Sequence, residues 1–275
     1  MRNGQNIGPD AMEPAVRVIG DLLTFGSGSL VGFALGLLGG GGSILAVPLL
    51  VYVVGVRDTH VAIGTSALAV SVNAFANLIS HAHAGTVKWP CAIVFALAGI
   101  AGAALGAFLG QLVDGQHLLF LFGVVMLAVA AGMFGGRAAA GDPLVHIDRT
   151  IALRLMGTGL IVGFLSGFFG IGGGFLIVPA IMLGSGMATI NAVGSSLVSV
   201  GVFGLTTAAT YAAAGLVDWR VAGIFILGGI VGGLAGVKLS VRLSEKRGVL
   251  SKCFAVAVIL VAAFVLWESS AGMLR

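Results

Sequence analysis

Charge is scarce in this chain: Asp, Glu, Lys and Arg make up 9% of its 275 residues, against about 25% in an ordinary soluble domain. No carboxylate lies deep inside an apolar stretch, so general acid–base catalysis and carboxylate-held metal chemistry have no candidates, and no enzyme activity is expected. Cysteine is equally thin. Cys91 and Cys253 form no metal-ligand spacing and no disulfide framework, and read as small packing residues. Neither a G-x-x-x-x-G-K-[ST] phosphate loop nor a G-x-S-x-G nucleophile turn occurs. No cofactor and no metal is therefore implied. The net charge of +4 is carried in short loops and indicates membrane topology, not a nucleic-acid partner. The first 14 residues are polar and are not expected to act as a secretory signal peptide.

What is abundant is apolar surface and glycine. The chain is 58% hydrophobic, its mean hydropathy is +1.12, and it holds 46 glycines. Glycine at this level, without low hydrophobicity to suggest disorder, suits transmembrane helices whose backbones pack closely. The lipid bilayer is the expected surrounding.

Two glycine clusters organise the rest. Gly36 to Ser43 reads G-L-L-G-G-G-G-S with Pro48 following, and Gly167 to Gly174 reads G-F-F-G-I-G-G-G with Pro179 following. Offsetting the halves also matches Gly32 with Gly163, Gly64-Thr65-Ser66 with Gly194-Ser195-Ser196, Gly85 with Gly215, and Trp89 with Trp219. The chain is thus two copies of one unit. The first repeat covers residues 15–136, a polar linker 137–150, and the second repeat 151–269. The stretches after the clusters are too short for the roughly 20 residues of a spanning helix, and read as pieces that start inside the membrane.

The fold class expected is an all-α polytopic membrane protein of two inverted repeats. Each repeat has a glycine-broken helical hairpin plus three transmembrane helices. If each hairpin closes, a repeat makes five passes and the second copy is inverted. With the N-terminus outside, Lys88, Arg137, Arg149, Arg154, Lys238, Arg242, Lys246, Arg247 and Lys252 are then cytoplasmic, which obeys the positive-inside rule. Reading each broken pair as one kinked span gives parallel repeats and a poorer charge split. The runs Gly102/Gly106/Gly110 and Gly228/Gly232/Gly236 read as helix-crossing faces.

Consecutive glycines are unlike packing glycines, which recur at i, i+4. Glycine N–H groups beside the start of a helix make an anion site that needs no buried cation. In a bilayer such backbone belongs where it is buried in protein or lines a cavity, and paired interruptions in two halves point to a substrate site near the midplane. The candidate binding residues are Gly39, Gly40, Gly41, Gly42 and Ser43 with Gly170, Gly172, Gly173 and Gly174. A polar stripe on the following helix adds Thr65, Ser66, Asn73 and Asn77, and its counterpart adds Ser195, Ser196 and Thr207. The alternative is that the glycines only let helices pack and the polar residues only bond between helices. His81 and His83, at the end of the stripe, are the proton-coupling candidates because histidine titrates near neutral pH.

The doubled motif G-x-x-G-x-G-G-[GS]-x-x-x-x-P, with a G-[TS]-S helix and a tryptophan after it, resembles the TauE/SafE family of sulfite exporters, also called 4-toluene sulfonate uptake permeases. The resemblance covers about residues 24–265 and rests on Gly36, Gly39, Gly41, Gly42 and Pro48 with Gly167, Gly170, Gly172, Gly173 and Pro179. It implies a permease of the bacterial inner membrane carrying sulfite, sulfonates or related organosulfur anions. The expected function is secondary transport of a small anionic substrate by alternating access, with an anion channel as the alternative. Monomer and homodimer both stay open.

Overall fold

The computed structural model describes residues 9–135, 147–170 and 174–244, together with 259, 262, 263 and 267. Among these residues every regular element is helical. In a bilayer each backbone polar group must be satisfied within the chain, and apolar runs of this length do so as helices.

Helix α1 is Pro9–Leu38. A 3₁₀ segment, Gly39–Leu45, follows, then the single turn α2, Ala46–Pro48, and a π-helical segment, Leu49–Val54. Next come α3, Thr59–His83, α4, Trp89–Gly110, and α5, Gly115–Gly135. The second half gives α6, Arg149–Phe169, α7, Gly174–Ser185, α8, Thr189–Ala213, and α9, Trp219–Ser244. The last span expected from sequence and most of the linker fall outside the described residues. Arg17–Val54 and helices α3, α4, α6, α8 and α9 are six stretches long and apolar enough to cross a membrane.

The few acidic residues sit at helix starts. Asp58, Asp148 and Asp218 each accept backbone N–H bonds in the first turn of α3, α6 and α9, at 2.7–3.3 Å, satisfying donors that have no intrahelical partner. Asp114 does the same for α5. The hydrogen bond from the His117 side chain, with the backbone N–H bonds, holds its carboxyl below the usual range.

The surface is apolar and much of the polar inventory is inside. Leu97, Leu112, Ile161 and Leu183 stand exposed, while Ser43, Thr65, Ser66, Asn73, His81, Ser195, Ser196 and Thr207 are buried. A water-soluble protein does not expose apolar surface on this scale. The chain is a multi-pass membrane protein.

Glycine faces fix how the helices pair. Cβ atoms added at Gly28, Gly32 and Gly36 of α1 would strike the backbone of Phe225, Gly229 and Gly233 on α9, in that order. Gly228, Gly232 and Gly236 meet Phe25, Ser29 and Phe33 in return. The order makes α1 and α9 parallel. In the same way Gly159, Gly163 and Gly167 of α6 lie on Phe95, Gly99 and Ala103 of α4, and Gly102, Gly106 and Gly110 lie on Leu160, Phe164 and Phe168. Each parallel pair joins one helix from each half. Between them α3 and α8 run antiparallel: Gly64 meets Tyr211 and Leu216, Ser71 Oγ donates to the Gly201 carbonyl at 2.6 Å, and Gly194 meets Thr86.

All six glycines with positive φ among the described residues fall into matched pairs: Gly39 and Gly170 (63° and 66°), Gly55 and Gly186 (83° and 72°), and Gly85 and Gly215 (68° and 74°). Each pair sits at equivalent places in the two sequence copies. The first pair ends α1 and α6.

Candidate functional site

Past Gly39 the chain folds back. A Cβ on Gly42 would strike the backbone of Ala34 and Leu35, and the π-helical segment also lies against α1. In the second half Gly184, near the end of α7, lies beside Leu155 and Thr158 of α6. Both broken pairs are therefore closed hairpins. The returning pieces differ: α7 is a regular helix, whereas the first is 3₁₀, then one α turn, then π. Proline does not account for the difference: Pro48 and Pro179 hold equivalent places in the two sequence copies, and Pro179 lies inside the regular helix α7. Gly39 to Gly42 and Ser43 are all buried in the 3₁₀ segment.

The two breaks lie far apart along the helices. Asp21 is paired with Arg220 at the N-terminal end of α9, Nη2 to Oδ2 2.8 Å. From Asp21 to Gly39 the helix rises about 27 Å, most of a roughly 30 Å bilayer core. Gly39 packs on Val193 and Ser196, and Gly36 on His81, near the end of α3; Gly170 packs on Ile63, near its start. Ile63 and His81 are about 27 Å apart along α3. The two turns thus lie at opposite ends of α3, because α1 and α6 are full spans and only the returning pieces are short. Those pieces do meet: the 3₁₀ segment packs against α7.

At the first turn one helical hydrogen bond is missing, and both of its halves are taken by side chains. An uninterrupted α1 would bond the Gly40 N–H to the Gly36 carbonyl. The left-handed Gly39 prevents it. The Gly40 N–H instead donates to Ser196 Oγ at 3.0 Å, and His81 Nε2 lies 3.0 Å from the Gly36 carbonyl. A carbonyl only accepts, so Nε2 carries the hydrogen. Ser196 Oγ donates to the Val193 carbonyl at 2.8 Å, and Ser43 Oγ to the Gly40 carbonyl at 2.9 Å. His81 Nδ1 lies 2.9 Å from Thr86 Oγ1, and Thr86 Oγ1 lies 3.0 Å from the His81 carbonyl.

The G-[TS]-S segments tie the halves together. Thr65 Oγ1 accepts from the Asp218 N–H and Ser195 Oγ from the Lys88 N–H, both at 2.9 Å. Thr65 and Ser195 are equivalent in the two copies, as are Asp218 and Lys88, so each half caps the loop before a helix of the other. Ser66 Oγ donates to Ile63, as Ser196 does to Val193.

The stripe lies against glycine. Asn73 faces Gly229 and Asn77 faces Gly233, with Asn77 Nδ2 3.4 Å from the Gly32 carbonyl. Asn73 is fully buried and neither of its amide atoms has a partner among the described residues; the same holds for the hydroxyls of Thr207, Ser166, Ser199 and Tyr211. His83 separates from the group: it is exposed, with Nδ1 2.7 Å from the Ile79 carbonyl. Gly170 caps α6 and Gly174 opens α7, while Gly172 and Gly173 lie outside the described residues. Thr86, on the loop after α3, is the residue sequence reasoning missed. The left-handed Gly85 before it is the one signal that marked the turn.

The family model described as Sulfite exporter TauE/SafE matches residues 24–265. A probable membrane transporter protein of Xylella fastidiosa is 55% identical over 255 residues, 92% of this chain and 97% of the relative. The probable membrane transporter protein YunE of Bacillus subtilis is 25% identical over 265 residues, 88% and 95% of the two chains. A probable membrane transporter protein of Methanocaldococcus jannaschii is 30% identical over 187 residues, 65% and 67% of the two. No solved structure matches.

Proposed function

Because this chain belongs to the TauE/SafE sulfite exporter family of membrane transporters, we propose that it is a secondary transporter of small oxyanions in a bacterial inner membrane. Sulfite, sulfonates and related organosulfur anions are the substrate class. The observation that carries this reading is the pair of left-handed glycine turns, Gly39 and Gly170, whose returning segments meet in the interior. Irregular backbone at membrane depth belongs where it is buried or lines a substrate path. Glycine N–H groups other than that of Gly40 suit an oxyanion, which accepts hydrogen bonds and needs no buried cation to balance it.

The two halves act as inverted repeats. This is supported by α3 and α8, which are equivalent in sequence yet antiparallel, as an axis in the membrane plane requires. With the N-terminus outside, the Gly39 turn lies toward the cytoplasm, near Lys88 and Lys238, and the Gly170 turn lies toward the exterior. Alternating access then opens one turn at a time to water. Asn73, Thr207, Ser166 and Ser199, buried without partners among the described residues, are expensive in hydrocarbon and suit polar groups that meet the anion as it passes.

The test is counterflow in proteoliposomes with labelled sulfite and 4-toluenesulfonate. Saturable exchange is expected, slower than about 10⁶ per second because domain motions take microseconds to milliseconds. Gly41→Leu is expected to abolish it while the protein still purifies as a folded species. Absence of exchange for both anions, or unchanged affinity in Gly41→Leu, refutes the reading.

A further inference from the structure

The Gly39 turn leaves the Gly36 carbonyl and the Gly40 N–H without each other, and the residue that takes the carbonyl is titratable. Resting on the transport reading above, we propose that His81 is a proton-binding site that takes up a proton at Nδ1 together with the transported anion. In the neutral ring Nε2–H donates to the Gly36 carbonyl, so Nδ1 bears the lone pair and accepts the Thr86 hydroxyl hydrogen across 2.9 Å. A proton arriving at Nδ1 reverses that one bond. Nδ1–H then donates to Thr86 Oγ1, and the Thr86 hydrogen turns to the His81 carbonyl, 3.0 Å away. Every donor has an acceptor in both states, and only one hydroxyl rotates.

The path for the proton is short. Thr86 is half-buried, behind the exposed Ala84 and Gly85, so the buried ring is one hydroxyl from the membrane face. The charge arrives beside the last carbonyls of α1, the negative end of its dipole. It also arrives beside the glycines proposed to hold the anion, in a medium where opposite charges interact strongly. Each then raises the affinity for the other by the same factor, which makes the coupling a symport.

Among the described residues competing charge is sparse there. Helix α1 has no titratable group between Asp21 and Leu38, and α8 has none before Tyr211. On α9 Lys238 is exposed, one residue past the Val237 that packs on Gly36. Lys88 is held on the α4 loop by Ser195, and His83 faces outward. In the second half Tyr211 occupies the place of His81, and a phenol does not titrate near neutral pH. Among the described residues this is one site per chain.

The experiment uses the purified full-length transporter in proteoliposomes loaded with a pH-sensitive dye. The main probe is 4-toluenesulfonate, the anion of a strong acid, which carries no proton of its own near neutral pH. The readout is protons moved per anion moved. Wild type is expected to give about one, and His81→Gln, which can still donate to the Gly36 carbonyl, a ratio lower by roughly ten-fold or more. For sulfite, which can carry a proton itself, the drop from wild type to His81→Gln is the readout. Thr86→Val removes the acceptor for the protonated ring and is expected to move the pH midpoint of transport to lower pH, with Thr86→Ser restoring it. This pair decides the matter if His81→Gln does not fold. Net anion uptake by wild type without proton movement overturns the proposal and leaves the transport reading intact. So does an unchanged ratio in His81→Gln or an unmoved midpoint in Thr86→Val. Exchange of neither anion by wild type overturns both.

Discussion

Removing one hydroxyl, that of Ser196, tests the architecture of the first turn directly. Ser196→Ala leaves the Gly40 N–H, bonded to Ser196 Oγ at 3.0 Å, with no acceptor in a fully buried place. An unsatisfied buried N–H costs ~1–3 kcal/mol. The other bond, from Ser196 Oγ to the Val193 carbonyl, matters less, because that carbonyl keeps its place in the helical ladder. The cost falls on the seating of Gly39–Leu45 rather than on the whole fold. Local opening should become roughly five- to 150-fold more frequent. Hydrogen–deuterium exchange followed by mass spectrometry on a peptide covering residues 36–45 reads this directly. Ser195→Ala is the control: it frees the Lys88 N–H instead, and should speed exchange around residues 86–90 while leaving 36–45 alone. Unchanged exchange at 36–45 in Ser196→Ala would mean that the Gly40–Ser196 bond does not hold the segment, and the account of the turn would fail.

Packing and topology offer two more tests. Gly32→Ala places a Cβ on the Gly229 backbone, whereas Gly20, on the same helix, has nothing within 4 Å. Gly32→Ala should lower the thermal midpoint in detergent by an amount equivalent to ~1–3 kcal/mol, and Gly20→Ala should be neutral or slightly stabilising. Equal midpoints would undo the assignment of α1 to α9. A cysteine at position 149, in a background lacking Cys91 and Cys253, should resist an impermeant thiol reagent applied to intact cells and react once the cells are opened; labelling from outside would reverse the orientation.

Much of this was legible because the chain carries it twice. The glycine clusters gave the two hairpin turns, since Gly39 and Gly170 adopt the left-handed conformation glycine permits. Helical spacing gave the stripe of Asn73, Asn77 and His81, because residues three and four apart share a face. Which wall the stripe meets was not legible. Gly229 and Gly233 sit far along the chain, and spacing within one helix says nothing of its neighbour. The roles of Thr65 and Ser195 were hidden for the same reason, as each caps a loop from the opposite half. How far apart the two breaks lie was not legible, because a cluster marks where a helix stops, not which part of its neighbours it meets. The π-helical segment left no sequence signal, since Pro179 matches Pro48 and its helix stays regular.

The exchanged pairing of helices has a consequence for how the protein is made. Helix α1 enters the bilayer first, yet the glycine face it packs against belongs to α9, about 200 residues later in synthesis. At ~5–20 residues per second that is on the order of 10–40 s. Throughout that interval the Gly28, Gly32 and Gly36 face waits beside lipid or a placeholder. Helix α6, by contrast, finds α4 already inserted when it emerges. Assembly is therefore lopsided in time although the finished pairs match. A chain interrupted before α9 leaves that glycine face of its first helix uncovered, a form that membrane quality control would meet before any transport begins.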